Sequence, residues 1–228
     1  DTTNRFYYAG YMLLSSTDNR LAWGFSKSAS PANGSTDWCH YSFQYGSTWP
    51  DFPKLGDSRL FAMIGTNNFD AATKVYRRSE LLSVRKPVGT GTIASCPTTV
   101  GTCRAGWLMD QSGHLTWSPV PANSIDAVDD GYVVGRKDQL PSSELIVHHV
   151  RGGSATTCPT VAGATSITVA SYTVPPDAVQ RRFPDGSPAP KLETQDARMT
   201  QAILARNPAR NNNLSLWTQQ TILNNSGT

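Results

Sequence analysis

One arrangement of residues occurs three times along this chain and limits what the chain can fold into. Each copy has a polar approach carrying Asp or Pro, a strand-like segment, a turn, and a second strand-like segment ending in a charged residue. The copies begin at Asp51, Asn123 and Leu192, about 70 residues apart, a period typical of repeat architectures. An opening block, residues 5–28, resembles an earlier copy without the approach. Such units bury their apolar faces against neighbouring units.

Local patterns within the copies indicate strands. Large residues alternate with small or polar ones in Leu21–Phe25 and Tyr41–Tyr45, and Leu145–Val150 carries apolar and β-branched residues on both faces. By residue preference, residues 193–206 would suit a helix. Only their place in the repeat assigns them to a strand. Further strands are predicted at 6–14, 60–66, 74–78, 106–109, 115–117, 132–136 and 167–170.

The predicted fold is therefore all-β. Strand units at this period favour a β-propeller of four-stranded antiparallel blades, each packed against its neighbours. The chain covers about four blades, which makes it either a fragment of a larger propeller or a compact ring. We assign residues 1–222 to the propeller and residues 223–228 to a polar tail or linker.

The four cysteines indicate disulfides. They form an even set, and none belongs to a C-x-x-C pair or has zinc-finger spacing to histidine. Cys96 and Cys103 flank a short turn-rich loop, which predicts a local bridge between them, while Cys39 and Cys158 could join distant segments. Disulfides persist in oxidising compartments, so the protein is predicted to be secreted.

The charge distribution argues against a nucleic-acid partner, and the lack of a long apolar stretch argues against a membrane-spanning helix. The formal net charge of +3 is spread along the chain without a Lys/Arg run, so no nucleic-acid partner is predicted. The chain has no apolar stretch near the roughly 20 residues that a membrane-spanning helix needs. We predict no membrane span, and a protein that is either a monomer or part of a larger chain.

Several short motifs resemble those of secreted bacterial β-propeller proteins of the sialidase-like group. The matching segments are residues 51–56 (DFPKLG), residues 26–31 (SKSASP) with Trp38, and residues 192–198 (LETQDAR) with residues 216–218 (LWT). The group's Asp-box turn has its nearest counterpart in Asp110–Trp117, which we interpret as a hairpin with Gly113 at the turn. The resemblance implies blades arranged around a central funnel.

If the chain is an enzyme of this group, the resemblance implies three elements: an arginine triad that binds a substrate carboxylate, a tyrosine nucleophile assisted by a glutamate, and an aspartate that acts as the acid. Arginines fall near predicted strand starts in different units, at Arg5, Arg59, Arg136 and Arg198. They could converge on a carboxylate, although an arginine beside a strand is more often a solvated charge.

Polar residues ahead of the innermost strands of a propeller meet around its funnel. Aligning the copies places Asp51, Asn123 and Glu193 at comparable positions, with Asp126 and Asp196 nearer to the strands. These side chains could bind Ca²⁺, hold sugar hydroxyls, or act as an acid/base pair in a glycosidase. Alternatively, each caps its own turn. No other cofactor and no dedicated metal site is predicted.

Aromatic side chains in loops could stack on sugar rings or fill the core. We place Trp49 at the funnel mouth; the other candidates are Trp38, Tyr45, Phe52 and Trp107. The leading interpretation is a secreted binding or structural domain that contacts a polysaccharide or another cell-surface polymer without catalysis. The alternatives are a sialidase-like glycoside hydrolase acting through funnel carboxylates, and a non-catalytic module of a larger exported enzyme.

Overall fold

The structure of the chain is a computed structural model, and it describes residues 3–224. With 53% of residues in strands and 3% in helices, it confirms the all-β prediction. Two 3₁₀ segments span Gln195–Ala197 and Pro208–Arg210. Within the described part of the chain, no helix has the length and apolar character that crossing a membrane requires. The strands are β1 (Tyr7–Leu13), β2 (Asn19–Ser26), β3 (Trp38–Gly46), β4 (Thr48–Asp57), β5 (Phe61–Asp70), β6 (Tyr76–Arg85), β7 (Thr102–Gly106), β8 (Thr116–Pro121), β9 (Asn123–Ser124), β10 (Gly131–Lys137), β11 (Ser142–Arg151), β12 (Thr160–Val161), β13 (Thr165–Thr173), β14 (Met199–Asn207), β15 (Asn213–Gln220) and β16 (Leu223–Asn224).

The described strands form four sheets, which follow one another along the chain except for the short strands β9 and β16. Sheet 1 has the order β1-β2-β3 and sheet 2 the order β4-β5-β6-β7. Sheet 3 has the order β8-β10-β11-β13-β16, with β12 beside β11, and sheet 4 has the order β9-β14-β15. Neighbouring strands are antiparallel, except that the short β9 runs parallel to β14.

Each pair of consecutive sheets shares its own apolar cluster. Phe25 of sheet 1 packs with Ile64 and Leu82 of sheet 2. Met63 of sheet 2 belongs to a cluster with Val133 of sheet 3. A third cluster joins sheets 3 and 4 through the residues Val120, Val134, Met199, Ala202 and Leu204. The core is therefore a series of sheet-to-sheet interfaces, because each sheet buries its faces against its neighbours in the chain.

The first strands of sheets 2, 3 and 4 begin at one end of the molecule. Ser118 of β8 bonds to Asn67, the partner of Asp51 in β4, and the Arg198 guanidinium before β14 lies 4.9 Å from the Phe52 ring centre. At the other end, the Asp57 N–H donates to the Ala122 carbonyl at 2.9 Å. We call the end where β4, β8 and β14 begin the start face, and the end near Asp57 the end face.

Two of these first strands were largely not predicted: β4 overlaps the approach that begins at Asp51, and only Thr116 and Trp117 of β8 lie in a predicted strand. Proline removes a ladder donor, which makes Pro50, Pro53 and Pro119 unusual within strands. The chain accommodates Pro53 through a β-bulge, in which Phe52 takes a φ of 52°. Ser118, before Pro119, takes a similar φ of 51°. The strands predicted after the approaches at Asp51 and Asn123 are therefore the second strands of sheets 2 and 3, β5 and β10.

Two other segment predictions differ from the structure. Beyond Gly106, the predicted strand 106–109 is a loop apart from an isolated bridge at Met109, because the chain leaves sheet 2 there. Of the predicted tail 223–228, Leu223 and Asn224 form β16, and residues 225–228 lie outside the described residues.

The predicted Cys96–Cys103 bridge is wrong. Cys39 pairs with Cys96, and Cys103 pairs with Cys158. The loop that carries Cys96 folds back onto sheet 1, where the Tyr41 hydroxyl donates to a carbonyl of that loop at 2.8 Å. Cys103 lies in β7, at the edge of sheet 2. The bridges therefore connect sheet 1 with sheet 2 and sheet 2 with sheet 3.

We expect Gly65→Ala to lower the free energy of unfolding by about 2 kcal/mol. A Cβ on Gly65 would lie 2.1 Å from the Pro119 carbonyl oxygen, so β5 and β8 would have to separate. Urea denaturation measures the change. Gly34→Ala is the control, because its Cβ would meet nothing within 4 Å. Equal stability of the two variants would contradict the close packing of sheets 2 and 3.

Candidate functional site

The structure separates two of the predicted funnel residues. Asp51 lies at the start face, in β4 opposite Asn67. Asn123 lies at the end face, next to Ser124, whose N–H donates to Asp57 at 2.8 Å. Asp51 and Asp57 are six residues apart on one strand, a separation of about 20 Å. These two positions therefore do not meet in one site.

The other predicted carboxylates have different surroundings. Glu193 is exposed in the loop before the first 3₁₀ segment. The Asp126 carboxylate accepts the backbone N–H of Arg206 at 2.8 Å and so links two segments. Only Asp196 belongs to a cluster of charges, because its carboxylate accepts from the Arg198 guanidinium at 2.8 Å at the start face.

Three cations, Lys54, Arg136 and Arg198, gather at the start face, two of them around one ring, and a fourth, Lys74, lies 5.0 Å from the centre of the Trp49 ring. The guanidinium of Arg198 and the ammonium of Lys54 lie 4.9 and 4.4 Å from the centre of the Phe52 ring. Burial, together with the nearby charge of Arg198, lowers the pKa of Lys54. Cation–π contacts of this kind attract both cations to the face of the ring.

The third cation is Arg136, at the end of β10. It is 5% exposed, and its guanidinium lies 5.2 Å from the centre of the Trp117 ring. Burial lowers the pKa of Arg136 to about 10; the charge of Arg198 lowers it too, whereas Asp196 and Asp138 raise it. Arg136 therefore stays protonated at neutral pH and shares one electrostatic environment with Arg198.

Several donors of this cluster lack acceptors. Among the described residues, the Nε atoms of Arg136 and Arg198 and the indole nitrogens of Trp49 and Trp117 are buried without a hydrogen-bond partner. A buried donor without an acceptor is costly, and such groups call for an explanation.

A row of aromatic rings borders the cations. Neighbouring ring centres lie 6.1 Å apart for Tyr11 and Trp49, 5.4 Å for Trp49 and Phe69, and 5.8 Å for Phe69 and Trp117. Tyr76 packs on Trp117 at 4.5 Å. All five rings keep part of their surface exposed. Partly exposed rings in a row offer apolar faces to a ligand.

The backbone that leads to Arg198 is strained. Gln195, Asp196 and Ala197 have φ values of 69°, 49° and 54°, in the left-handed region that residues other than glycine rarely occupy. Such conformations persist where the surroundings enforce them, and they concentrate at functional sites. The three residues set the positions of the Asp196 carboxylate and the Arg198 guanidinium.

The structure brings together only two of the four arginines considered for a triad, Arg136 and Arg198. Arg5 lies at the end face and donates to the Gly89 carbonyl at 2.7 Å, and Arg59 pairs with Asp129. Lys54 and Trp117 were not predicted as site residues, because Lys54 lies within an assumed approach and Trp117 was assigned to packing. Lys54 follows Pro53 within β4, and Trp117 lies two residues before Pro119 within β8; this nearness to strand prolines could have indicated Lys54 and Trp117 as site residues.

The hairpin interpretation of Asp110–Trp117 is confirmed. The Asp110 carboxylate accepts the N–H groups of Ser112 and His114 at 2.8 and 2.9 Å, and Gly113 has a φ of 83°.

Within residues 3–224, no group of three or more His, Cys, Asp or Glu side chains could hold a metal ion. No family model, curated protein or solved structure matches this chain.

Proposed function

We propose that this chain is an extracellular β-propeller domain that binds carbohydrate at its start face, with a preference for saccharides that carry carboxylates. The observation behind this proposal is the cluster of Lys54, Arg136 and Arg198 beside exposed rings. Rings stack on the apolar faces of sugars, and guanidinium groups form paired hydrogen bonds with carboxylates.

Three observations support the propeller assignment. Apart from the short strands β9 and β16, the sheets follow one another along the chain, and consecutive sheets pack through separate apolar clusters. The first strands of sheets 2, 3 and 4 run in one direction. A non-glycine residue of positive φ lies in the first half of β4 and of β8 and just before β14, namely Phe52, Ser118 and Ala197. A recurrent strand entry of this kind is typical of repeated units around an axis.

The disulfides support an extracellular location. All four cysteines are paired, and stable disulfides belong to oxidising compartments. A polymer at a cell surface or in the surrounding matrix would be accessible to such a domain.

We expect Arg198→Gln to weaken binding to polygalacturonate at least tenfold, the loss of about one charge-assisted hydrogen bond. Isothermal titration calorimetry measures the affinity. The matched control is Arg206→Gln, near the far end of β14, the strand that follows Arg198; its guanidinium donates to the Asn212 carbonyl. Fully methyl-esterified polygalacturonate, which lacks the charge, should bind weakly to every variant. Equal affinity for the charged and esterified polymers would refute the carboxylate preference.

A second candidate is sialidase-like glycoside hydrolysis, which the nearness of Arg136, Arg198 and Asp196 favours. A hydrolase would release sugar from an aryl sialoside, and Asp196→Asn would abolish the release. Binding without turnover supports the first candidate alone.

A further inference from the structure

A long exposed loop connects sheet 3 with β14 of sheet 4. It comprises residues 174–193, between the end of β13 and the first 3₁₀ segment, and its only ladder contact is one isolated bridge. Nearly all of its side chains are exposed, including the apolar Val179 at 84% and Phe183 at 49%. Loops of this length without strands or helices are uncommon in compact domains and call for an explanation.

Hydrogen bonds close the base of this loop. The backbones of Ala178 and Leu192 exchange two hydrogen bonds, of 2.8 and 2.9 Å. The Thr194 hydroxyl donates to the Pro175 carbonyl at 3.1 Å. The two ends of the loop are therefore held together independently of its middle, so a break in the middle would leave both ends in place.

The middle of the loop carries two adjacent basic residues, Arg181 and Arg182, both exposed. The chain has four such basic pairs, and the other three lie within strands or at a strand end: residues 77–78 and 85–86 at β6, and residues 136–137 in β10. Only the pair at Arg181 therefore lies outside the sheets.

A protease must bind the residues around the bond that it cleaves, so those residues have to detach from the fold. At residues 77–78 and 136–137, detachment would break hydrogen bonds to the strands on both sides of β6 and β10. Around Arg182, the bonds that would open lie within the loop itself, such as that from its guanidinium to the Gly186 carbonyl at 2.8 Å. Exposed loops are accordingly the preferred positions of proteolytic nicking.

A cut in this loop would leave its two products associated. Both disulfides join residues that precede the loop, so noncovalent contacts alone would hold the residues from 183 onward. The apolar cluster between sheets 3 and 4 contains Met199 and Leu204 from beyond the cut, and Val120 and Val134 from before it. Hydrogen bonds between β9 and β14 also cross the cut.

We infer that loop 174–193 is a processing site, at which a trypsin-like serine protease hydrolyses the peptide bond between Arg182 and Phe183. Such a protease holds the arginine before the cleaved bond with an acidic side chain in its specificity pocket. Water supplies both new groups, a carboxylate on Arg182 and an amine on Phe183. The product is a two-chain protein in which β14 and β15 are held without a covalent link. The inference does not rest on carbohydrate binding at the start face.

Limited digestion of the native full chain with trypsin, followed over time by mass spectrometry, tests the site. We expect residues 1–182 and 183–228 to appear at least about tenfold faster than the product of any cut elsewhere, because bonds in the sheets are exposed only by local unfolding. Arg181→Gln with Arg182→Gln should slow the loss of intact chain at least about tenfold. Lys191→Gln removes another exposed cation of the same loop and is the matched control, expected to be cut as fast as the wild type.

Two further measurements separate the role of the fold from that of the local sequence. In urea that unfolds this chain but leaves trypsin active, the cut after Arg182 should lose its advantage, because every basic residue is then accessible. The nicked protein should elute from a size-exclusion column as one species under native conditions, and as two in urea without reductant.

A cut within the basic pair, between Arg181 and Arg182, would support the same site. A first cut outside residues 179–185, equal digestion of the double variant and the wild type, or separation of the products on the native column would overturn the inference. An advantage of the Arg182 bond that persisted in the unfolded chain would also overturn it, by assigning the preference to local sequence rather than to the exposed loop.

Discussion

The double variant Cys39→Ala, Cys96→Ala is expected to unfold with a free energy about 4 kcal/mol below that of the wild-type protein. The bridge joins residues 57 positions apart, so its loss frees a long loop in the unfolded chain. Cys39 is also fully buried in the cluster between sheets 1 and 2. Urea denaturation followed by tryptophan fluorescence measures the difference.

A matched control separates the bridge from the substitutions themselves. Ser42→Ala with Ser95→Ala changes two exposed neighbours of the cysteines and should leave stability within about 0.5 kcal/mol of the wild type. If the cysteine variant lost less than about 1 kcal/mol, the bridge would not hold sheet 1 to sheet 2 as the structure indicates.

The connectivity itself has a direct chemical readout. Trypsin leaves Cys39 in residues 28–54, both Cys96 and Cys103 in residues 86–104, and Cys158 in residues 152–181. The observed pairing joins all three peptides in one species of a non-reduced digest. A Cys96–Cys103 bridge would instead leave residues 86–104 as a separate, internally bridged peptide.

Glu80→Ala is expected to lower the free energy of unfolding by about 4 kcal/mol. The Glu80 carboxylate is 1% exposed and accepts from the Tyr45 hydroxyl at 3.0 Å, the Asn68 amide at 3.0 Å and the Arg104 guanidinium. Burial and the charge of Glu80 both raise the pKa of Tyr45, which keeps this hydroxyl a donor. Removal of the carboxylate leaves these donors without their shared acceptor, two of them buried.

Glu144→Ala provides the contrast for Glu80. Its carboxylate is 32% exposed and pairs with Lys137, so its loss should cost less than about 1 kcal/mol. Urea denaturation at pH 7 compares the two variants. Similar losses for both would show that the Glu80 network does not anchor sheet 1, through Tyr45, to sheet 2.

Alternation and turn residues made most strands predictable. Leu21–Phe25, Tyr41–Tyr45 and Leu145–Val150 all lie within observed strands. Residue preference alone would have misassigned β14, whose place in the repeat indicated a strand. The strand β4, and β8 beyond Trp117, escaped prediction because their prolines are tolerated only through local bulges and positive φ values, which depend on neighbouring sheets. That error shifted the alignment of the copies.

The site was predictable only in part, for the same reason. The shifted alignment grouped Asp51 with Asn123, which lie at opposite faces. Proximity of Arg136 and Arg198 depends on how sheets 3 and 4 pack, and local sequence does not contain that information. The disulfide pairing was mispredicted for the same reason. Sequence spacing favoured a bridge between Cys96 and Cys103, whereas the packing of the sheets brings Cys39 to Cys96 and Cys103 to Cys158.

The proposal that the start face binds an acidic saccharide is tested most directly by the indole N–H signals of the chain's six tryptophans. In nitrogen-15 NMR spectra, titration with a galacturonic acid tetrasaccharide should shift the signals of Trp49 and Trp117. The signal of Trp217, on β15 away from the aromatic row, should stay unchanged. Shifts confined to tryptophans outside the start face, or none at saturating ligand, would contradict the proposal.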